Sequence, residues 1–279
     1  MIEINNLSYR YSRSVEALHD VTLSIGPGIH LLLGENGSGK TTLLHIIAGL
    51  RLATPASACL VDGIPSSLRE PSMMNDSFIL TDNMEFPYRS VNEMVKYHAP
   101  FYPRFDAELL RDILRRFDMT GAEPFDRFSL GNRKKAQLAY VLALRTNCLL
   151  LDEPANGLDI TSRNELMKMM AEYTSDDQTI IISTHTVFDF QNIVDSVIVL
   201  NRGYAVLSMP VWQITERVAF VSEPLPVEGA IYMDQALGRF NAILPNIPAG
   251  SMQTNIDFVL LFKALQSSQS QNLLSILKS

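Results

Sequence analysis

The chain has 279 residues, 47% of them hydrophobic, with 23 Lys and Arg against 30 Asp and Glu, a net charge of −7 at pH 7 and two cysteines. That length suits one large α/β domain with an appendage, or two modest domains, because single domains run to about 100–200 residues. The acidic balance argues against a general nucleic-acid binder, which shows a basic face. Two cysteines do not make a disulfide framework, so a reducing compartment is expected.

Residues 1–9 alternate like a strand and lack the charged start and apolar stretch of a signal peptide. Residues 2–25 read as short strands joined by turns. An apolar run at 29–33 and a helix-like run at 42–50 then enclose Gly34-Glu35-Asn36-Gly37-Ser38-Gly39-Lys40-Thr41-Thr42. This is the full G-x-x-x-x-G-K-[ST] pattern in its strand–loop–helix context. The glycines let the backbone curl so that Asn36, Gly37, Ser38 and Gly39 turn N–H groups toward a phosphate, and the helix adds its positive end. Lys40 reaches the β and γ phosphates, the Thr41 hydroxyl is placed to ligate Mg²⁺, and Thr42 meets the α-phosphate side. Nucleoside triphosphate binding follows.

Residues 53–76 are rich in Pro, Ser and small side chains, with Leu60-Val61-Asp62-Gly63 as a strand and tight turn. Phe78-Ile79-Leu80 is predicted as a short core strand. Residues 91–98 and 106–117 are helix-like, the second with Leu109, Leu110, Ile113, Leu114 and Phe117 on one face, and 90–128 reads as an inserted helical subdomain. Leu149-Leu150-Leu151 and Thr179-Ile180-Ile181-Ile182 are apolar runs of the kind buried on both faces of a parallel sheet. They flank a helix at 162–173. Cys148 falls inside the first of these strands. Beyond the turn Asn201-Arg202-Gly203, residues 204–279 read as a distinct unit, strand-like at 218–221, helical at 256–266, with a polar spacer at 267–271. No uninterrupted apolar run reaches the roughly 18 residues that cross a bilayer, so the chain is expected to be soluble by itself.

The strand at 149–151 ends in Asp152-Glu153-Pro154, at the sheet edge where open α/β sheets bind ligands. Asp152 would hold Mg²⁺, and Glu153 would polarise a water for attack on the γ-phosphate. The pair lies 112 residues after Lys40 (152 − 40). On these residues the chain resembles the nucleotide-binding subunits of ABC transporters, over residues 1–203. The resemblance implies an α/β P-loop NTPase core with a mainly parallel central sheet, an N-terminal antiparallel β subdomain, the inserted helical subdomain and a small C-terminal α+β appendage.

It also places a D-loop at Ala155-Asn156-Gly157-Leu158-Asp159 and a switch histidine at His185, within Ser183-Thr184-His185. Tyr11 stands where an aromatic ring stacks on adenine, with Tyr9 as the competing candidate. The signature segment corresponds to Phe128-Ser129-Leu130-Gly131-Asn132, where Leu130 replaces a glycine and only Ser129 and Gly131 keep the groups that would face the γ-phosphate of a second subunit's nucleotide. Thr81-Asp82-Asn83 stands where the family carries a glutamine, and Asp82 is the candidate to replace its oxygen at Mg²⁺. The run Arg133-Lys134-Lys135 reads by default as a solvated helix face and needs no nucleic acid to explain it.

His19, His30, His45 and His98 show no metal-ligand spacing. The implied function is an ATPase with ATP and Mg²⁺ that pairs head to tail with a second copy or a paralogue and drives a membrane-spanning subunit, from the cytoplasmic side of the membrane. Partner helices would dock on the helical subdomain near Phe86, Tyr88, Phe101 and Tyr102. The alternatives are a soluble ABC ATPase of cofactor assembly and a regulatory ATP-binding module.

Overall fold

The computed structural model of the chain describes residues 1–12, 15–53, 55, 58–185, 187, 190–245 and 255–278. Its centre is a six-stranded sheet, and the strands run in chain order as follows. β1 (Ile2–Ser12) and β2 (Val15–Ile25) form an antiparallel pair, extended by β4 (Cys59–Val61) and β5 (Ile64–Pro65) into a four-stranded sheet of order β2-β1-β4-β5. The expected short strands at 2–25 are thus two strands of 11 residues each, their register shifted at several irregularities that let one pair stay continuous. Arg13 and Ser14, between them, lie outside the described residues.

β3 (Gly28–Leu33) occupies the middle of the central sheet, between β9 (Ser196–Asn201) and β8 (Thr179–Ser183). Beyond β8 come β7 (Cys148–Asp152) and β6 (Ser77–Leu80), all parallel. Period-two alternation divides these strands between two cores. Leu31, Leu33, Leu149, Leu151, Ile180, Ile182, Val197 and Val199 face one apolar cluster; Leu32, Leu150, Ile181, Ile198 and Leu200 face the other. The second cluster packs the sheet against helix α1 (Lys40–Ile47) and the β1–β2 sheet. The first receives α3 (Val91–Tyr97), α4 (Ala107–Arg116), α5 (Leu130–Ala143) and α6 (Ile160–Tyr173), after a short α2 (Pro71–Met74). Burial on both faces is why these strands read as unbroken apolar runs. Both cysteines are buried and free.

The helical subdomain follows from local signals. Ser90 caps α3 through Glu93 N–H, Asp106 caps α4 through Glu108 and Leu109 N–H, and Ser129 caps α5 through Asn132 N–H. Of the four aromatic rings expected for docking, Phe86, Tyr88 and Tyr102 are packed against the core and only Phe101 is exposed, at 64%.

The C-terminal boundary differs from the expected one at 203. β10 (Tyr204–Pro210) pairs antiparallel with β9 as the edge strand of the central sheet. The appendage proper begins after it, with α7 (Val211–Arg217), the three-stranded antiparallel sheet β11 (Val218–Glu223), β12 (Tyr232–Ala236) and β13 (Arg239–Pro245), and helices α8 (Phe258–Gln266) and α9 (Ser270–Lys278). Helix α9 takes up the last two residues of the expected spacer. Val218, Phe220, Ile243, Phe258, Leu261, Leu273 and Leu277 belong to the same apolar cluster as α3–α6, so the appendage shares one continuous core with the rest of the chain and is not a separate unit. Among the described residues no helix is long and apolar enough to cross a membrane.

Candidate functional site

β3, β7 and β8 are parallel neighbours in register, so the loops leaving their carboxyl ends meet at one edge. They border a cleft of about 630 Å³ lined by the phosphate loop, Tyr11, His45, Thr81, Asp82, Asn83, Asp152 and Glu153. Helix α1 has no side-chain cap on its first turn, unlike α4, α5, α6 and α8. Its N-cap is Gly39, and the N–H groups of the first turn are left for a ligand. Gly39 holds φ = +104°, and a Cβ there would come within 2.6 Å of the Ala17 carbonyl. Gly34 is equally confined, since a Cβ would meet the Leu200 carbonyl at 2.7 Å. The Ser38 hydroxyl, in the loop between them, is buried with no partner, as befits a cradle shaped for oxyanions.

Lys40 is buried and bridges the loop, donating to the carbonyls of Gly34 (2.7 Å) and Glu35 (3.1 Å). Burial lowers its pKa, opposed by the carboxylates of Glu153 and Asp152. The Thr41 hydroxyl donates to Asp152 Oδ2 at 2.8 Å, and the Ser183 hydroxyl donates to Asp152 Oδ1. Thr41 and Asp152 are hard oxygen donors on one side of the phosphate loop. That set fits Mg²⁺, which takes one or two protein oxygens and completes its shell from phosphates and water.

Glu153 leaves β7 in the left-handed region, φ = +50°, while its N–H donates to the Ser183 carbonyl at 2.8 Å. A non-glycine residue held there stores strain of about 1–3 kcal/mol, a feature that concentrates at active sites. Its carboxylate is fixed from three directions. Oε1 meets His185 Nδ1 at 2.9 Å, and Oε2 accepts from the Thr184 hydroxyl (3.1 Å) and the His185 N–H (3.3 Å). The structure therefore brings Glu153 and His185 together, and adds Ser183 and Thr184, which sequence reasoning did not assign. The signal for both was their position beside His185 on the adjacent strand end.

Tyr11 lines the cleft, its hydroxyl 2.8 Å from Thr42 Oγ1 and its ring 4.5 Å from the Arg51 guanidinium. Tyr9 does not reach the cleft; its hydroxyl accepts from Arg51 at 3.3 Å. His45, given no role from sequence, also lines the cleft, and burial lowers its pKa.

Asp82 lines the cleft as well, and its carboxylate is held by side chains of other elements. Oδ2 accepts from Asn156 Nδ2 at 3.1 Å and Oδ1 lies 3.5 Å from Lys134 Nζ. Thr41 and Asp152 bond to each other, whereas the contacts of the Asp82 carboxylate are with Asn156 and Lys134. The expectation for the basic run changes: Lys134 is 2% exposed, because it lies on the α5 face that carries Gln137, Leu138 and Val141 inward. That helical phase was the available signal.

Ser129, Leu130 and Gly131 stand outside the cleft. Ser129 and Leu130 are exposed, and a Cβ on Gly131 would meet the Gly157 carbonyl at 2.9 Å.

Comparison with known proteins agrees with this arrangement. The family model for ABC transporters matches residues 18–156. The ABC transporter ATP-binding protein YtrB of Bacillus subtilis is 29% identical over 193 residues, 68% of this chain and 65% of YtrB, so the chain spans just under two thirds of that relative. The ABC transporter ATP-binding protein NatA of Bacillus subtilis is 31% identical over 215 residues, 73% of this chain and 87% of NatA. A solved ATP-binding subunit of an ABC transporter shares the fold with a TM-score of 0.68 at 23% identity, over 77% of this chain and 91% of that one. With a cleft of this construction and a relative matched along most of its length, the chain belongs to the ABC transporter family, among its ATP-binding ATPases.

Proposed function

We propose that the chain hydrolyses ATP with Mg²⁺, pairs head to tail with a second nucleotide-binding subunit, identical or paralogous, and drives a separate membrane-spanning subunit from the cytoplasmic face. The observation that carries this reading is the fixed Glu153 carboxylate beside the Thr41–Asp152 pair. In this reading residues 1–210 are the ATPase and 211–279 its appendage, with 90–128 as the surface for the membrane partner.

Each residue then has a task. The 36–39 backbone and the α1 N-terminus cradle the β-phosphate, and Lys40 turns from the loop carbonyls to the β and γ phosphates. Tyr11 stacks on the base and Thr42 meets the α-phosphate side. Thr41 and Asp152 hold Mg²⁺, which supplies charge stabilisation to the phosphoryl oxygens. Glu153 orients a water and accepts its hydrogen bond as the water oxygen bonds to the γ-phosphorus and the bond from that phosphorus to the β–γ bridging oxygen breaks. The products are ADP and phosphate, and the water proton leaves through the carboxylate. His185 and Thr184 keep that carboxylate in line. Ser129, exposed, and Gly131, half-buried, both outside the chain's own cleft, close over the nucleotide of the second subunit, so that ATP favours the closed pair and hydrolysis releases it.

The test is the solution mass of Glu153→Gln with and without MgATP, with wild type as control. Blocked hydrolysis traps the closed pair, so an ATP-dependent shift from monomer to dimer is expected. A variant that binds ATP tightly and stays monomeric overturns pairing between identical chains.

A further inference from the structure

Lys40 and Lys134 are the two buried lysines among the described residues, and the reading above uses only the first. Lys134 sits in the first turns of α5, with a side chain 3% exposed. Its Nζ donates to the Asp82 carbonyl at 3.1 Å and lies 3.5 Å from Asp82 Oδ1, while Asn156 holds the other carboxylate oxygen. A buried ammonium is retained where it has a charge to answer. Here the charge belongs to a loop, Thr81-Asp82-Asn83, that borders the same cleft as the phosphate loop.

The charge count at that end of the cleft gives the reason. Asp82, Asp152 and Glu153 bring three negative charges to a place built to receive a polyanion, and Lys40, the one lysine or arginine in the lining, faces Asp152 and Glu153. Lys134, which is not among the residues lining the cleft, answers Asp82 from α5. We propose that Lys134 is a positioning residue for nucleotide binding: it neutralises Asp82 and fastens the 81–83 loop to α5, so that a carboxylate can line the phosphate cleft without repelling the triphosphate. This rests on reading the cleft as the ATP site. It also accounts for an acidic residue where a neutral side chain would be the simpler choice.

The pair acts by charge, so its two halves have opposite signs. In Lys134→Met the Asp82 carboxylate is left uncompensated, and ATP binding weakens about tenfold at low salt, less as added salt screens the repulsion. Adding Asp82→Asn to Lys134→Met removes that charge and restores affinity to within about threefold of wild type. Asp82→Asn alone binds ATP as tightly as wild type or tighter. AMP, with fewer phosphate charges, is affected less than ATP.

The measurement is calorimetric titration of the full-length variants with ATP and AMP in EDTA, which reads binding without turnover. A side chain needed only for packing gives a different pattern: Lys134→Met weakens ATP and AMP alike, and the second substitution restores nothing. That result, or unchanged ATP binding in Lys134→Met, overturns the proposal. Should Lys134→Met not fold, Asp82→Asn alone decides, and weaker ATP binding in it overturns the proposal. Wild type that binds no ATP overturns the reading of the cleft, whereas wild type that binds ATP without the rescue overturns the role of Lys134 alone.

Discussion

Asp152→Asn separates the two tasks of the buried carboxylate. Its oxygens accept from hydroxyls in unlike settings: Ser183 is fully buried, whereas Thr41 is exposed. A carboxamide has one acceptor oxygen, which will turn to Ser183, and Thr41 can rotate toward water. The loss is then one charge-assisted bond exchanged for a neutral one, about 1 kcal/mol. Asp152→Ala instead orphans the Ser183 hydroxyl in the core and costs about 1–3 kcal/mol for that group alone. For a chain of this size about 1 kcal/mol corresponds to a Tm change of roughly 2–4 °C. Thermal melts should therefore rank wild type above Asp152→Asn above Asp152→Ala. In the presence of adenylyl imidodiphosphate, wild type should gain a further Tm increment from Mg²⁺. Asp152→Asn should keep the nucleotide increment, which comes from Lys40 and the α1 N-terminus, and lose the Mg²⁺ increment. Retention of the full Mg²⁺ increment in Asp152→Asn would refute the placement of the metal.

Three further outcomes are expected. Tyr11→Ala removes the ring facing the cleft and should weaken ATP binding about five- to tenfold, while Tyr11→Phe, which loses only the contact with Thr42, should bind within about threefold of wild type in the same titration. His30 is held neutral by burial, against the opposing Gly26 carbonyl and Asp195, so its folded pKa lies below the ordinary 6.5. The unfolded chain then takes up the proton first, and stability is complete above about pH 6.5 and declines as pH falls toward the folded value; urea unfolding of wild type and His30→Gln across pH 5–8 should show a shallower decline in the variant. A chain ending at Arg217 loses Val218, Phe220, Phe258 and Leu261 from the shared core and should melt at least 10 °C lower or aggregate, whereas an unchanged Tm would mean that the appendage folds independently.

By itself the sequence determined the phosphate loop, the acidic end of β7, His185 and the buried strands. Each of these is encoded locally: Gly39 because only glycine tolerates φ = +104° beside the Ala17 carbonyl, and the strands because burial on both faces leaves an unbroken apolar run. The tertiary structure decided the rest, since those features depend on residues far apart in the chain. β10 joins the central sheet through hydrogen bonds to β9, which no local pattern at 203 reveals. The appendage merges with the main core because its apolar faces find α3–α6. Asp82 meets Lys134, 52 residues away, and whether a lysine in a basic run meets water or a carboxylate is fixed by the helix face that packs inward, not by the run itself.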